Sequence, residues 1–336
     1  MNLETAQKRS KITQKIRNFF TNNGFLEVET PIMTPSPGME PHLTPFETTL
    51  TLPSHLSAPP TKQLYLNTSP ELQMKKLLAM QEPDGTSSYP QIFNITKVFR
   101  NGELGSDTHN PEFTMLEWYR TDADYKTIMD DCENLIAALQ EFSTDTQASS
   151  KAPFLRKTTR ELFLEYLKID LLENRTFEKF RATADSLNLD TNACTDWDDI
   201  FFKLFLNHIE KNLGHDTPTI VYDYPSTQAA LAKKSATEPF FAERFELYIN
   251  GIELANAFTE LTDPQEQRER LLEEQALRKK MNKTILPIDE EFLSSLESLH
   301  RTGKNYAGIA LGIDRLIMVL LGKKSIAEVL HFPITI

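Results

Sequence analysis

Cysteine is nearly absent from this chain. There are two, Cys132 and Cys194, far apart and in no C-x-x-C pairing. That excludes a disulfide framework and a cysteine zinc site, and both thiols read as small core residues. Positive charge is also in short supply, with 36 Lys and Arg against 48 Asp and Glu, a formal charge of -12. A surface that wraps a phosphate backbone carries the opposite bias, so extensive nucleic-acid binding is disfavoured, although a local basic patch stays open. No run approaches the ~18–20 apolar residues of a membrane span. The first residues, MNLETAQKRSKITQKI, lack an apolar signal core, so the cytoplasm is the expected location. Neither G-x-G-x-x-G nor G-x-x-x-x-G-K-[ST] occurs, which removes the two familiar glycine-rich phosphate cradles. There is no internal repeat and no low-complexity tract.

What remains is an ordinary globular composition. The 336 residues are 40% hydrophobic and 25% charged, enough for one large or two small domains. Ile12, Ile16, Phe19 and Phe20 recur at helical spacing and predict a helix over 4–23, stopped at Asn23-Gly24. GFLEVETPIM reads as a short strand ended by Pro31. Residues 34–62 read as a loop with short extended pieces, and 70–80 as a helix with Pro70 in its first turn. QIFNITKVFR and EFTMLEWYR form an antiparallel pair joined by the polar loop NGELGSDTHNP. A helix follows over 126–142. Residues 143–153 read as a flexible connection and 158–215 as short helices of an inserted subdomain. TIVYDYP and RFELYINGIELANAF are strand-like, the latter a hairpin turned at Asn250-Gly251. A charged helix covers 264–282, and GIALGIDRLIMVLLG reads as a glycine-containing turn feeding an apolar helix. Hairpins with helices before, between and after them argue for an α+β fold with an antiparallel sheet. Lys75-Lys76 and Lys323-Lys324 read as solvated faces.

Three segments could carry chemistry. Alternate strand residues share a face, so Phe113, Met115, Glu117 and Tyr119 point one way. A carboxylate among them is costly without a partner, and Arg100, closing the preceding strand, suits carboxylate or phosphate. The loop between holds Glu103, His109 and Asn110. A solvated hairpin with one internal ion pair fits these residues equally well. In the second segment the Asn250-Gly251 turn pairs Tyr248 with Glu253, which sets Glu246 diagonally across on the same face. Two such carboxylates repel unless a cation such as Mg²⁺ lies between them. Strict alternation sends Asn256, Phe258 and Glu260 to the other face, so a shared site requires a bulge between Glu253 and Asn256. An edge hairpin with acidic residues in water is the simpler reading of the pattern alone. In the third segment Gly308 and Gly312 permit close backbone approach. Arg315 falls in the first turn of the next helix, where phosphate is favoured. A buried helix with an ordinary salt-bridged arginine would look the same.

Taken together and in order, GFLEVETP, FR…E…HNPEFTMLEWY and GIALGIDR resemble motifs 1, 2 and 3 of the class II aminoacyl-tRNA synthetases. TSPELQMKKLL, HNPEFTMLEWY and GIELANAFTELTD resemble the lysyl branch, and the likeness runs from about residue 5 to 332. It implies an antiparallel sheet flanked by helices, a homodimer built partly around motif 1, and activation of an amino acid by ATP with Mg²⁺. By the resemblance, Arg100 holds the substrate carboxylate and the α-phosphate, and Arg315 the γ-phosphate; these are the two catalytic residues. Glu103, His109 and Asn110 contact ATP and Phe113 stacks on adenine. Glu246 and Glu253 bind Mg²⁺ on the phosphates. Ser69, Glu71, Glu117, Tyr119, Asn256, Phe258, Glu260 and Ala310 form the pocket for a lysine-type substrate, whose ammonium groups the carboxylates match.

Motif 1 begins by Gly24, which leaves no room ahead of it for an anticodon-binding domain. The expected organisation is therefore one catalytic domain over 1–336 with a helical insertion at about 143–217. That pattern resembles the stand-alone lysyl-tRNA synthetase paralogues that ligate (R)-β-lysine to elongation factor P. Ser69 where synthetases have Ala, Ala310 where they have Gly, and YPSTQAALA with its Gln228 all agree with the paralogues. The implied acceptor is a lysine of elongation factor P, and tRNA is disfavoured as acceptor. A synthetase-like enzyme charging tRNA without an anticodon domain, and a non-catalytic regulator, are the alternatives. Three features depart from the pattern. FRNGE carries one residue more between Arg100 and His109 than usual, so Glu103 is assigned by chemistry and not by register. Ala257 stands where the family has Gly. The loop SPGMEPH aligns poorly, and within it Glu40 could help to hold an ammonium.

Overall fold

The computed structural model describes residues 1–55, 59–144, 154–229 and 231–334. Helix α1 (Leu3–Asn22) opens the chain, with the Asn2 side chain accepting from the Thr5 amide as N-cap. Its buried stripe of Ile12, Ile16 and Phe20 follows helical periodicity. The Phe20 ring lies 5.0 Å from both Phe93 and Trp118 and 5.1 Å from Phe25. Strands β1 (Leu26–Glu27) and β2 (Met33–Thr34) follow, then β3 (Glu47–Thr51), β4 (Thr61–Leu66) and helix α2 (Glu71–Leu78). Next come β5 (Gln91–Phe99), β6 (Glu112–Thr121) and α3 (Tyr125–Leu139). Strand β7 (Leu155–Thr158) precedes the short helices α4 (Thr159–Leu167), α5 (Phe177–Ser186) and α6 (Trp197–Leu204). The chain then runs through β8 (Thr219–Pro225), β9 (Phe241–Ile249), β10 (Ile252–Thr259), α7 (Pro264–Lys280) and α8 (Glu290–Arg301). It closes with β11 (Tyr306–Gly312) and α9 (Ile313–Leu320).

Eight strands form the main sheet in the order β1-β5-β6-β11-β10-β9-β8-β7, and β2-β4-β3 form a small second sheet. The six inner strands pair antiparallel, while β1 on β5 and β7 on β8 are parallel at the two edges. The expected antiparallel α+β architecture is thus present, with parallel additions at its ends. The small sheet supplies the extended pieces expected within 34–62. Helices α1, α3 and α9 pack with the sheet around one apolar core that includes Phe93, Trp118, Leu311 and Ile317.

Several elements differ from the sequence expectations. GIALG is no turn but β11, the strand between β6 and β10. Period two explains it: Ile309 and Leu311 enter the core, leaving Gly308, Ala310 and Gly312 on the other face. Pro70 is the N-cap of α2, not a first-turn residue. Helix α8 was not anticipated, although Phe292, Leu293, Leu296 and Leu299, all buried, repeat at helical spacing. Strand β7 was also missed; four residues give too short a pattern. Most of the connection read over 143–153 lies outside the described residues. The helices expected within the insertion are there, closing a second core of Phe163, Phe180, Trp197 and Phe201 against Val221, Tyr224 and Tyr248 of the sheet. Asp198 of α6 ties this layer to the turn after β8, accepting from Thr227 Oγ1 at 2.7 Å and Gln228 Nε2 at 3.0 Å. Cys132 and Cys194 are buried and unpaired, as expected.

Phe20 joins α1 to β5 and β6 and is fully buried. Phe20→Ala should cost about 3–5 kcal/mol of stability, measured as a shift of the chemical denaturation midpoint.

Candidate active site

The register of the sheet lines up a row of side chains. Asn94 pairs with Glu117, Glu117 with Ala310, Ala310 with Asn256, and Asn256 with Glu246. Paired residues share a face, so residues from β5, β6, β11, β10 and β9 point into one region. The register of β9 on β10 shifts between Glu253 and Ala255. This is the bulge that a shared site required. It brings Glu253 to the same cavity as Asn256 and Phe258. The turn before it is the expected two-residue hairpin, with Asn250 and Gly251 both at positive φ, 53° and 71°.

Above this face lies a cavity of about 320 Å³. Ser69, Glu71, Arg100, Glu103, His109, Asn110, Phe113, Glu253, Asn256, Phe258, Ala310 and Arg315 all line it. Glu117, Tyr119, Glu246 and Glu260 are buried and do not.

One end of the cavity is cationic. The Arg100 guanidinium lies 5.2 Å from the Phe113 ring centroid and donates to the Thr68 carbonyl oxygen at 3.3 Å. Glu103 Oε1 is 3.6 Å from Arg100 Nη1. Arg315, in the first turn of α9, donates to the Thr108 carbonyl at 3.1 Å and the Glu253 carbonyl at 3.0 Å. Its Nη2 meets His109 Nε2 at 2.7 Å. A guanidinium can only donate, so Nε2 accepts and the ring proton resides on Nδ1, beside Ser106 Oγ at 3.0 Å. Burial and Arg315 both hold the His109 pKa down, which keeps the ring neutral. The preceding helix residue, Asp314, is buried; it pairs with Arg9 at 2.5 Å and accepts from the Thr114 amide at 2.6 Å, which anchors α9 to β6. Asn110, which lines the cavity, is also tied to backbone. Its amide donates to the Glu112 carbonyl at 2.6 Å and accepts from the Ile334 amide at 3.0 Å, so both its polar ends are engaged with backbone.

Along the cavity flank, the Glu246 carboxylate accepts from Arg244 Nη2 at 2.5 Å, Tyr224 OH at 2.6 Å and Tyr248 OH at 2.5 Å. Arg244 also donates to Asn256 Oδ1 at 3.1 Å and to the Gln228 carbonyl at 2.7 Å. Desolvation and the Glu246 carboxylate push the Glu253 carboxyl up to about 7, against the pull of Arg315 and Arg244. A carboxyl whose ionisation is opposed by a neighbouring carboxylate suits a hard divalent cation. Among the described residues no group of three or more His, Cys, Asp and Glu could hold a metal by itself.

The other end is acidic. Glu117 is fully buried, with Tyr119 OH donating to Oε2 at 3.0 Å and Oε1 lacking any partner. Burial and then Glu71 push its pKa well up. Glu260, pushed up to about 8 mainly by burial, likewise keeps Oε1 free of hydrogen bonds. A side chain at Gly308 would overlap the Tyr119 ring and come 2.8 Å from Glu260 Oε1, so this glycine is required for close approach. Gly312 is not constrained in this way, since its nearest neighbours would be Arg315 carbons at 3.8 Å. Glu40 lines the cavity, and burial followed by Glu71 raises its pKa. Arg278, 1% exposed, secures that loop through the carbonyls of Glu40 at 3.0 Å and Leu43 at 2.9 Å.

Lys75 corrects an expectation. It is no solvated residue: its side chain is 1% exposed and its ammonium pairs with Glu71 at 2.7 Å and with Glu260. The i,i+4 spacing from Glu71 on a helix was the available signal. Arg244 was missed as well, although it lies two residues before Glu246 and hence on the same strand face. Lys76 pairs with Asp289 at 2.8 Å and Glu291 at 2.9 Å.

The site is thus an antiparallel sheet presenting arginines at one end of a cavity and carboxylates at the other. The family model for class II tRNA synthetases (D, K and N) matches residues 2–336, and the chain belongs to that family. A Proteus mirabilis protein named elongation factor P–(R)-β-lysine ligase is 42% identical over 329 residues, 97% of this chain and 94% of its own length. Proteins of the same name from Histophilus somni and Pasteurella multocida are 40% and 39% identical, each over 99% of this chain and 95% of their own lengths. Among the described residues no helix is long and apolar enough to cross a membrane.

A Glu253 carboxyl titrating at about 7 is mostly protonated at pH 6 and ionised at pH 8. If it helps to hold Mg²⁺, the magnesium-dependent affinity for ATP should rise about tenfold more from pH 6 to pH 8 in wild type than in Glu253→Gln. Nucleotide titration at fixed magnesium measures the difference, and parallel pH curves would contradict it.

Proposed function

We propose that this protein activates (R)-β-lysine, or lysine, with ATP and passes the acyl group to a lysine side chain of elongation factor P. The observation that carries the reading is the polarity of one cavity. Arg100 and Arg315 stand at one end, and Glu117 and Glu260 stand beneath the other, each with a buried oxygen that lacks a partner. The relatives' name supplies the particular substrate and acceptor.

In this reading Phe113 stacks on adenine, with Glu103 and His109 at the nucleotide and Arg315 on the γ-phosphate. Neutral His109 accepts from Arg315 and so aims that guanidinium. Glu246 and Glu253 are the residues that would hold Mg²⁺, which neutralises phosphate charge when bound. Glu71, Glu117 and Glu260 take the ammonium groups of the substrate. Ser69, Tyr119, Asn256, Phe258 and Ala310 shape the pocket around its carbon chain.

Arg100 aligns the substrate carboxylate with the α-phosphate. A carboxylate oxygen attacks α-phosphorus, the bond to the β-phosphate oxygen breaks, and pyrophosphate leaves. Negative charge grows on the α-phosphoryl oxygens beside Arg100, where a fixed cation lowers the barrier. Much of the remaining acceleration is positioning. In the second step the neutral amine of the acceptor lysine attacks the acyl carbon, AMP leaves, and the amine sheds a proton. An ammonium has no lone pair, and its free pKa is about 10.4. Single-turnover transfer should therefore accelerate between pH about 6 and 9, and a flat profile would contradict this step. A second copy is proposed to pack against motif 1, where Leu26, Ile32 and Met33 are exposed.

Pyrophosphate exchange with α-lysine and both enantiomers of β-lysine tests the first step, and mass analysis of elongation factor P tests the second. (R)-β-Lysine should drive exchange best and appear as a mass increment on the factor. Arg100→Ala and Arg315→Ala should each lower exchange about 10²–10³-fold. Efficient charging of lysine tRNA without modification of the factor would favour the tRNA reading instead.

A further inference from the structure

Lys75 has no part in the roles assigned above, yet its ammonium lies among the carboxylates given to the substrate. It projects from α2 one turn beyond Glu71. Its nitrogen pairs with Glu71 Oε1 at 2.7 Å and with Glu260 Oε2. The Phe292 ring of α8 has its centroid 6.0 Å away. Lys75 and Glu260 are both 1% exposed in their side chains. Glu117 and Tyr119 of β6 and Glu40 of the loop after β2 are the other titratable groups around it. Two buried oxygens nearby lack a partner, Glu117 Oε1 and Glu260 Oε1.

We infer, on the lysine-type reading of the site, that Lys75 is a built-in counter-ion and positioning residue of the amino-acid pocket. It binds one oxygen of Glu71 and one of Glu260, so that Glu260 Oε1, with Glu117 Oε1, is kept for an ammonium of the substrate.

The physical need is plain. Three carboxylates converging in a dry pocket repel one another and take up protons. A neutral carboxylic acid holds an ammonium poorly. A permanent cation behind them opposes that proton uptake before substrate arrives, while the unpaired oxygens keep the site open to a second cation. Lys75 acts on Glu117 and Glu260 in this direction, opposing the effect of burial. Mutual support makes the arrangement stable, since Glu260 and Glu71 in turn raise the pKa of Lys75.

The test uses the full chain as wild type, Lys75→Met and the charge-keeping variant Lys75→Arg. Binding of L-lysine, (R)-β-lysine and ATP is followed by calorimetry from pH 6 to 9.5. Lys75→Met should bind both amino acids about tenfold or more weakly at pH 7, with ATP affinity unchanged. The pH at which amino-acid affinity levels off should rise by about one unit or more, because Glu260 loses the cation that opposes its protonation. Lys75→Arg, which keeps the cation beside Glu71 and Glu260, should recover part of the loss. Unchanged affinity and pH profile in Lys75→Met would overturn the role of Lys75. So would equal losses for amino acid and ATP, or failure of both variants to fold, which would make Lys75 a packing residue. Absence of binding of either amino acid to wild type would instead overturn the lysine-type reading of the pocket.

Discussion

Without the extra residue between Glu253 and Ala255, strand periodicity would send Asn256, Phe258 and Glu260 to the face opposite Glu253. The register shift there is the constraint on which the site depends. It keeps Glu253 on the same cavity as Asn256 and Phe258. The Asn250-Gly251 turn fixes where the count begins, because two residues at positive φ lock the hairpin. Sheet pairing then carries the alignment across β11 to β6, so Ala310 and Glu117 fall into the same row. A one-residue slip anywhere along this row would reverse the faces.

Charge is arranged on that frame with opposite signs at the two ends. Arg100 and Arg315 are anchored by backbone carbonyls, Thr68 for the one and Thr108 and Glu253 for the other. These neutral partners orient each guanidinium, and only the longer contacts to Glu103 at 3.6 Å and Glu253 at 4.0 Å offset its charge. At the acidic end the opposite strategy holds. Glu71 and Glu260 are partly compensated by Lys75, and Glu246 by Arg244 with two tyrosine hydroxyls. Buried carboxylates cannot stay ionised without such help. The helical layer between β7 and β8 joins this network through Asp198 to Gln228, whose carbonyl accepts from Arg244.

Much of the site was legible from residue order. Phe113 and Met115 stand two apart on β6 and both line the cavity, as the period of a strand requires. The pairing of Tyr248 with Glu253 follows from the turn alone and is observed. GIALG was misread because glycine weakens strand propensity, and only the neighbouring strands supply the close contacts that demand it. Helix α8 was overlooked despite a clear apolar repeat. Lys75 was misjudged because a lysine beside another lysine normally faces water. Asn110, expected at the nucleotide, spends both ends of its amide on backbone.

Residue order by itself determined the α+β architecture, the hairpin that carries Glu246 and Glu253, and the need for a bulge beyond it. It also supplied the family, through short segments whose order is independent of their separation in space. Tertiary structure alone decided how the acidic end is neutralised. Lys75 and Glu260 stand far apart in the chain, and nothing local to either reveals the other. Burial converts that encounter into a charge pair, because an ammonium and a carboxylate removed from water must each find an opposite charge.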